Sequence, residues 1–197
     1  MFARSQFIRL FISVFLLLIF SVSVAEAYPQ AKKKSYRKAF KSVTRHDEVY
    51  QREDFYASMT WHASHLSSDF LAAQVEEVAR IYDWSPSEKE KYASTQQTKF
   101  SNYTVFFVSF YAYDYKTSDL SDNDSIWSLK LEVGGQRYEP VKFEAVSRPT
   151  PLDIQLYPYI NSWSRHYFVF YPKFTSDERG DLILKISGPH AQDSLSW

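Results

Sequence analysis

The chain of 197 residues contains no cysteine. That excludes a disulfide framework, thiolate metal sites, a thiol nucleophile and a lipid-anchored cysteine behind a leader. Small exported domains often rely on disulfides, but a chain of this length buries a sufficient core without them. Glycine is almost as scarce, with four in all. No glycine-rich phosphate loop can be assembled from so few, and neither a serine-nucleophile elbow nor a zinc-protease helix motif occurs. Charge of one sign is missing too, because 23 basic side chains face 23 acidic ones. Nothing here points to nucleic acid as a partner or to a cofactor, and no internal repeat is evident.

What is present begins with an address. Met1 to Ala27 reads as a secretory signal peptide. Arg4 and Arg9 supply its positive start, Leu10 to Val24 is apolar apart from serines, and Ala25-Glu26-Ala27 fits the small-x-small cleavage pattern. An uncleaved membrane anchor is the alternative. The run is short for a span of about 20 apolar residues, and the lysines after it would oppose the positive-inside tendency. The expected address is a bacterial periplasm or secretion from a bacterium.

Residues 28–54 carry the run KKKSYRKAFK and are expected to form a basic, disordered arm. Lys32, Lys33, Lys34, Arg37, Lys38 and Lys41 offer weak contact to an anionic surface, whether lipid, lipopolysaccharide or an acidic wall polymer. A solvated linker is the plain alternative.

Residues 55–197 are expected to form one mainly β domain. Phe55 to Ala63 alternates as a half-buried strand. A helical hairpin follows over residues 67–99. Ser67 or Ser68 caps its first helix, Glu76 and Arg80 stand four apart on the exposed side, and Ser85-Pro86-Ser87-Glu88 opens its second as a capping box. Then the period becomes two. Tyr103 to Tyr115, Ile126 to Val133, Gln136 to Val146, Asp153 to Tyr159, His166 to Tyr171 and Asp181 to Ser187 complete seven strands, with Gly134-Gly135 as a hairpin turn. Seven is the number in an immunoglobulin-like antiparallel β-sandwich, here with a two-helix insertion after the first strand.

The stretch LYPYINSWSRHYFVFYP, from Leu156 to Pro172, sharpens that expectation. Tyr167 opens the sixth expected strand and so resembles the tyrosine corner of immunoglobulin-like and fibronectin-type sandwiches. Its hydroxyl is expected to bond the backbone of residues 157–165. The Trp127 strand, the Tyr157-Pro158-Tyr159 corner and the Trp163-Ser164-Arg165 turn also resemble small exported bacterial proteins of uncharacterised function. That resemblance implies a fold and a compartment, not an activity. In the strand itself Tyr167, Val169 and Tyr171 share one face, and His166, Phe168 and Phe170 the other. At least one of these ring clusters has to be covered by the helices or lie exposed.

Metal sites are weakly signalled. His62 and His65, with Asp69 nearby, stand three apart on a strand and so point to opposite faces. Asp119, Asp122 and Asp124 suit solvated turns better than a calcium loop, whose sharp-turn glycine is missing. Trp197 is aromatic like the end of an outer-membrane barrel strand, but the preceding Gly188-Pro189 and the lack of lipid-facing strands argue against a barrel. The expected function is that of a non-enzymatic envelope protein that docks a protein partner. The alternative is a carbohydrate-binding module. The candidate interaction surface is Trp61, Trp84, Tyr157, Tyr159, Trp163 and Arg165, with Trp127 as a further stacking candidate for a glycan.

Overall fold

The strand Tyr103–Ala112 buries every residue from Thr104 to Phe110. A strand that is dry on both faces has to lie between two covering layers. The computed structural model describes residues 28–50, 57–174 and 180–197, with side chains from residue 35 onward. Their elements, in chain order, are α1 (Tyr28–Val43), β1 (Thr44–Tyr50), β2 (Ala57–His65), α2 (Ser68–Tyr82), α3 (Pro86–Phe100), β3 (Tyr103–Ala112) and β4 (Ser128–Val133). After these come β5 (Gln136–Tyr138), β6 (Lys142–Ala145), α4 (Pro151–Leu156), β7 (Arg165–Pro172), β8 (Leu182–Ser187) and β9 (Gln192–Ser196). The protein is mainly β, with two antiparallel sheets ordered β1-β2-β3-β7-β6 and β5-β4-β8-β9.

One face of the larger sheet meets the smaller sheet. Trp61, Phe106, Phe110, Val169 and Tyr171 pack there against Leu131, Leu184 and Ile186. The opposite face carries Val105, Phe107 and Phe170, and these are covered by Tyr36, Phe70, Phe100 and Tyr157 from the helices and the turn after α4. The rings of Phe107 and Tyr157 lie 4.0 Å apart at their centroids, and Phe100 sits 5.7 Å from Phe168. Both ring clusters of β7 are therefore covered.

Local chemistry sets the element ends. The Phe70 N–H donates to Ser67 Oγ at 3.2 Å and caps α2, and Asp83 closes it in the left-handed region at φ 51°. Ser85 and Glu88 form the expected capping box on α3. Gly134 and Gly135 take φ of 57° and 82°, the turn that joins β4 to β5. Gly188 is required by space, since a Cβ there would stand 2.4 Å from the Trp127 ring.

Several expectations need correction. The described strands number nine, not seven. The basic segment is not a disordered arm within the described residues. Tyr36, Ala39, Phe40 and Val43 give it a helical apolar stripe, and β1 pairs with β2 from Thr44↔Ser64 onward. Residues 153–159 are not a strand, because Thr150 and Asp153 cap α4 with Pro151 in the first turn. Residues 136–146 are two strands in different sheets, broken at Pro140, which has no N–H for a ladder. Arg80 pairs with Glu77 at 2.7 Å, while Glu76 pairs with Lys89 at 2.8 Å. The expected leader, residues 1–27, and the start of the expected first strand at Phe55 lie outside the described residues.

The Tyr36 hydroxyl donates to the Leu156 carbonyl at 2.7 Å and is buried. Tyr36→Phe is therefore expected to lower stability by about 0.5–1.5 kcal/mol. Tyr36→Ala, which also empties the space beside Phe70, is expected to cost about 3–5 kcal/mol. Denaturant melts of the two variants check both figures; wild-type midpoints would show α1 to be detached.

Candidate functional site

Three loops meet at one end of the domain. Residues 113–127 link β3 to β4, residues 146–164 link β6 to β7, and residues 188–191 link β8 to β9. The first two loops share a cleft of about 260 Å³ between Tyr115, Asp119, Val146, Asn161 and Arg165. The first and third share another of about 270 Å³, with Tyr113, Asp114, Trp127 and His190 in its walls. A shallower depression of about 270 Å³ lies beside Trp163, bounded by Thr60, Tyr111, Asn161 and Ser164.

Asp119 holds this end together. Its Oδ1 accepts from the Ser121 N–H at 2.9 Å and the Ser121 hydroxyl at 2.6 Å. The Tyr167 hydroxyl donates to the same oxygen at 3.0 Å, and Arg165 Nη1 donates to Oδ2 at 3.1 Å. Arg165 also reaches the Ser118 hydroxyl at 3.3 Å and the Tyr115 carbonyl at 3.4 Å, with its guanidinium 4.5 Å from the Tyr115 ring centroid. Burial alone would push the Asp119 carboxyl up; the Ser121, Tyr167 and Arg165 donors outweigh it and hold the carboxyl below its usual range.

Asn161 arranges the second loop. Its side-chain oxygen accepts the N–H groups of Trp163 and Ser164, both at 2.9 Å. Its carbonyl meets His166 Nε2 at 3.0 Å. The result is an indole presented outward on a fixed turn: Trp163 is 74% exposed, and on the facing loop Tyr113 and Tyr115 are 63% and 50% exposed.

The candidate residues of the sequence divide sharply. Trp163 is outside, and Arg165 is half-buried at the loop end. Trp61 is fully buried, with its Nε1 donating to Asp193 Oδ2 at 2.7 Å. Tyr157 and Trp127 are core as well. Tyr159 is half-buried, sharing a hydrogen bond with Ser64 at 2.8 Å and donating to the Phe107 carbonyl at 3.2 Å. Trp84 packs between Tyr82 at 5.5 Å and Tyr92 at 5.1 Å on the helical layer. Five of the expected contact and stacking residues, Trp61, Trp84, Trp127, Tyr157 and Tyr159, thus spend their rings on packing and are no shared surface. Tyr167 is buried, but its hydroxyl also accepts the Leu120 N–H, at 3.3 Å. Its partners lie in residues 113–127, not 157–165, and its strand is the seventh. The expected strand from Tyr103 to Tyr115 is shorter than its pattern suggests, and the exposure of Tyr113 and Tyr115 follows from β3 stopping at Ala112.

The histidines are not gathered for a metal. His62 stacks on His46 at 5.2 Å and on Tyr159 at 4.9 Å, whereas His65 lies against Phe106 at 5.1 Å. Among the described residues no group of three His, Asp or Glu is placed to hold an ion. Asp122 and Asp124 bond within their own turn. Ser109 Oγ, Trp127 Nε1 and His166 Nδ1 are buried without a hydrogen-bond partner. These atoms are closed to solvent, although Trp127 and His166 line the clefts with other parts of their side chains.

Tyr167→Phe removes the bond to the charged Asp119 and strands the Leu120 N–H. The expected loss is about 1.5–3 kcal/mol, read from denaturant melts, and Tyr167→Ala should cost more. Burial lowers the pKa of His62, helped by His46 beside it, and burial lowers that of His166. Both therefore take up protons later in the folded chain than in the unfolded chain. Stability is expected to be complete above about pH 6.5 and to fall as pH drops through the folded values. Melts at descending pH check this, and His62→Gln with His166→Gln should flatten the slope.

No protein-family model, no curated protein and no solved structure matches this chain.

Proposed function

We propose that this is an exported, non-enzymatic protein of a bacterial envelope whose loop end docks a protein partner. The carrying observation is that Tyr113, Tyr115 and Trp163 stand exposed on loops locked by the Asp119 and Asn161 networks. Rigid Tyr and Trp side chains offer large contact area at small entropic cost, and Ser and Asn between them supply adaptable hydrogen bonds. The loops read YDYKTSDLSDNDSIW and YINSWSR, which is that composition. Locking the loops in advance reduces the ordering cost of association.

We read the fold more closely as an immunoglobulin-like sandwich. The runs β2-β3-β7-β6 and β5-β4-β8-β9 follow the strand order A-B-E-D and C′-C-F-G of an immunoglobulin-like sandwich, with β1 an added edge strand. On that reading the three loops are B–C, D–E and F–G. The B–C and F–G loops are binding loops in variable domains. The export reading rests on Met1 to Ala27, and intact mass of the released protein tests it by loss of those residues.

A glycan is the second reading, favoured by Trp163 lying beside the depression formed with Thr60 and Tyr111. A photo-crosslinking residue at position 163 distinguishes the two in cells. A discrete protein adduct there, missing when the same residue replaces exposed Lys91 on α3, is expected. Crosslinks of equal yield at both positions would sink the docking surface. Trp163→Ala is expected to abolish the adduct partner's co-purification while leaving the melting temperature within a few degrees, because surface truncations usually cost under about 0.5 kcal/mol. Trp163 fluorescence quenched by oligosaccharide, with no protein adduct, would transfer the site to the glycan reading.

A further inference from the structure

We infer that the outer face of α1 is a docking surface for an anionic phospholipid bilayer. Between Tyr28 and His46 the sequence has Lys32, Lys33, Lys34, Arg37, Lys38, Lys41 and Arg45 and no acidic residue. The structure turns part of that composition into a surface. Tyr36 is bonded to the Leu156 carbonyl, and Phe40 stacks on Tyr159 at 5.9 Å, so the helix cannot roll about its axis. Its apolar stripe of Tyr36, Ala39, Phe40 and Val43 is already committed to the helical-layer core. Arg37, Lys38 and Lys41 are left exposed, and none of them forms an ion pair with another described residue.

Three features choose a bilayer over other anions. The face is the side of a helix, not a cleft, and the clefts described above lie at the loop end. A rod of like charge matches a broad, planar field better than a discrete ligand. The cations are mostly lysine, which supplies point charge without the planar fork that recognises single phosphates in bidentate fashion. The helix also starts directly downstream of the apolar run from Leu10 to Val24, so the chain that carries α1 is addressed to a membrane. Because the apolar side chains face inward, the helix lies on the headgroups without inserting. Attraction is then purely electrostatic and is screened by salt.

The test is co-sedimentation of the full-length chain with vesicles of mixed phosphatidylglycerol and phosphatidylcholine, against vesicles of phosphatidylcholine alone. Any affinity of the apolar N-terminal run appears in both, so the difference reports charge. Binding to the anionic vesicles is expected to be stronger at low salt and to collapse at about 0.5 M salt. The combined variant Arg37→Gln, Lys38→Gln, Lys41→Gln should lose that difference, at about five-fold per cation, with an unchanged melt. Arg37→Lys should keep it. If the combined variant melts early, Lys38→Gln alone carries the test through its single step of about five-fold. Equal binding to both vesicle types, wild-type binding by the neutralised variants or loss of binding in Arg37→Lys would overturn the inference. So would tighter retention on duplex DNA than on the anionic vesicles. The loop-end reading is unaffected by these outcomes, since Trp163 contributes nothing to this face.

Discussion

The inner strands β3 and β7 of the five-stranded sheet are covered on both faces, and the rest of the molecule follows from that constraint. A two-layer sandwich leaves alternate residues of each strand to solvent. Here β3 and β7 put large rings on both sides, so a second covering layer is obligatory. The helical hairpin alone does not close it. Tyr36 and Phe40 of α1 and Leu156 and Tyr157 at the end of α4 join Phe70 and Phe100 over the sheet. The high aromatic content, 18% of the chain, is used mainly in filling these two cores. Of the five tryptophans, four are buried or packed and one is displayed.

The same economy separates rigid support from contact at the loop end. Asp119 gathers donors from β7 and from its own loop, so the strand that carries Tyr167 and Arg165 also positions residues 113–127. Polar side chains do the positioning, and Trp163 stays exposed on the turn they fix. A half-buried carboxylate with several charge-assisted or backbone bonds is a strong anchor for a loop that otherwise has little apolar content.

Much of this was legible in the sequence where periodicity or capping carried the signal. Trp127, Leu129, Leu131 and Val133 alternate and are inward; of the two serines expected at the first helix start Ser67 is the cap, and Ser85 caps the second helix as expected. Other signals were present but outweighed. Tyr36, Ala39, Phe40 and Val43 have helical spacing inside a basic run whose charge argued for disorder. Thr150-Pro151-Leu152-Asp153 carries the same chemistry as Ser85-Pro86-Ser87-Glu88, yet the β-branched and aromatic residues after it suggested a strand. Strand β1 had little pattern to read, because an edge strand such as TRHDEVY pairs through its backbone and keeps most side chains exposed. The site was the least legible part. Alternation places Trp61 with Met59 and Ala63 on one face of its strand, but how fully that face is covered, and that Trp163 is exposed, depend on what the sheets bring above them.

One feature of the C-terminal strand bears on how the chain reaches this state. The Trp197 indole donates to the Val43 carbonyl across 154 positions of sequence, its ring lies 5.0 Å from Phe106, and Arg45 bonds the Ser196 carbonyl at 3.0 Å. The start of β1 is thus seated by residues made long after it. At about 5–20 residues per second, synthesis leaves that edge without its partner for roughly eight to thirty seconds. Contacts of such long sequence separation also slow folding itself. A nascent chain of this kind completes that edge only after its last strand has been made.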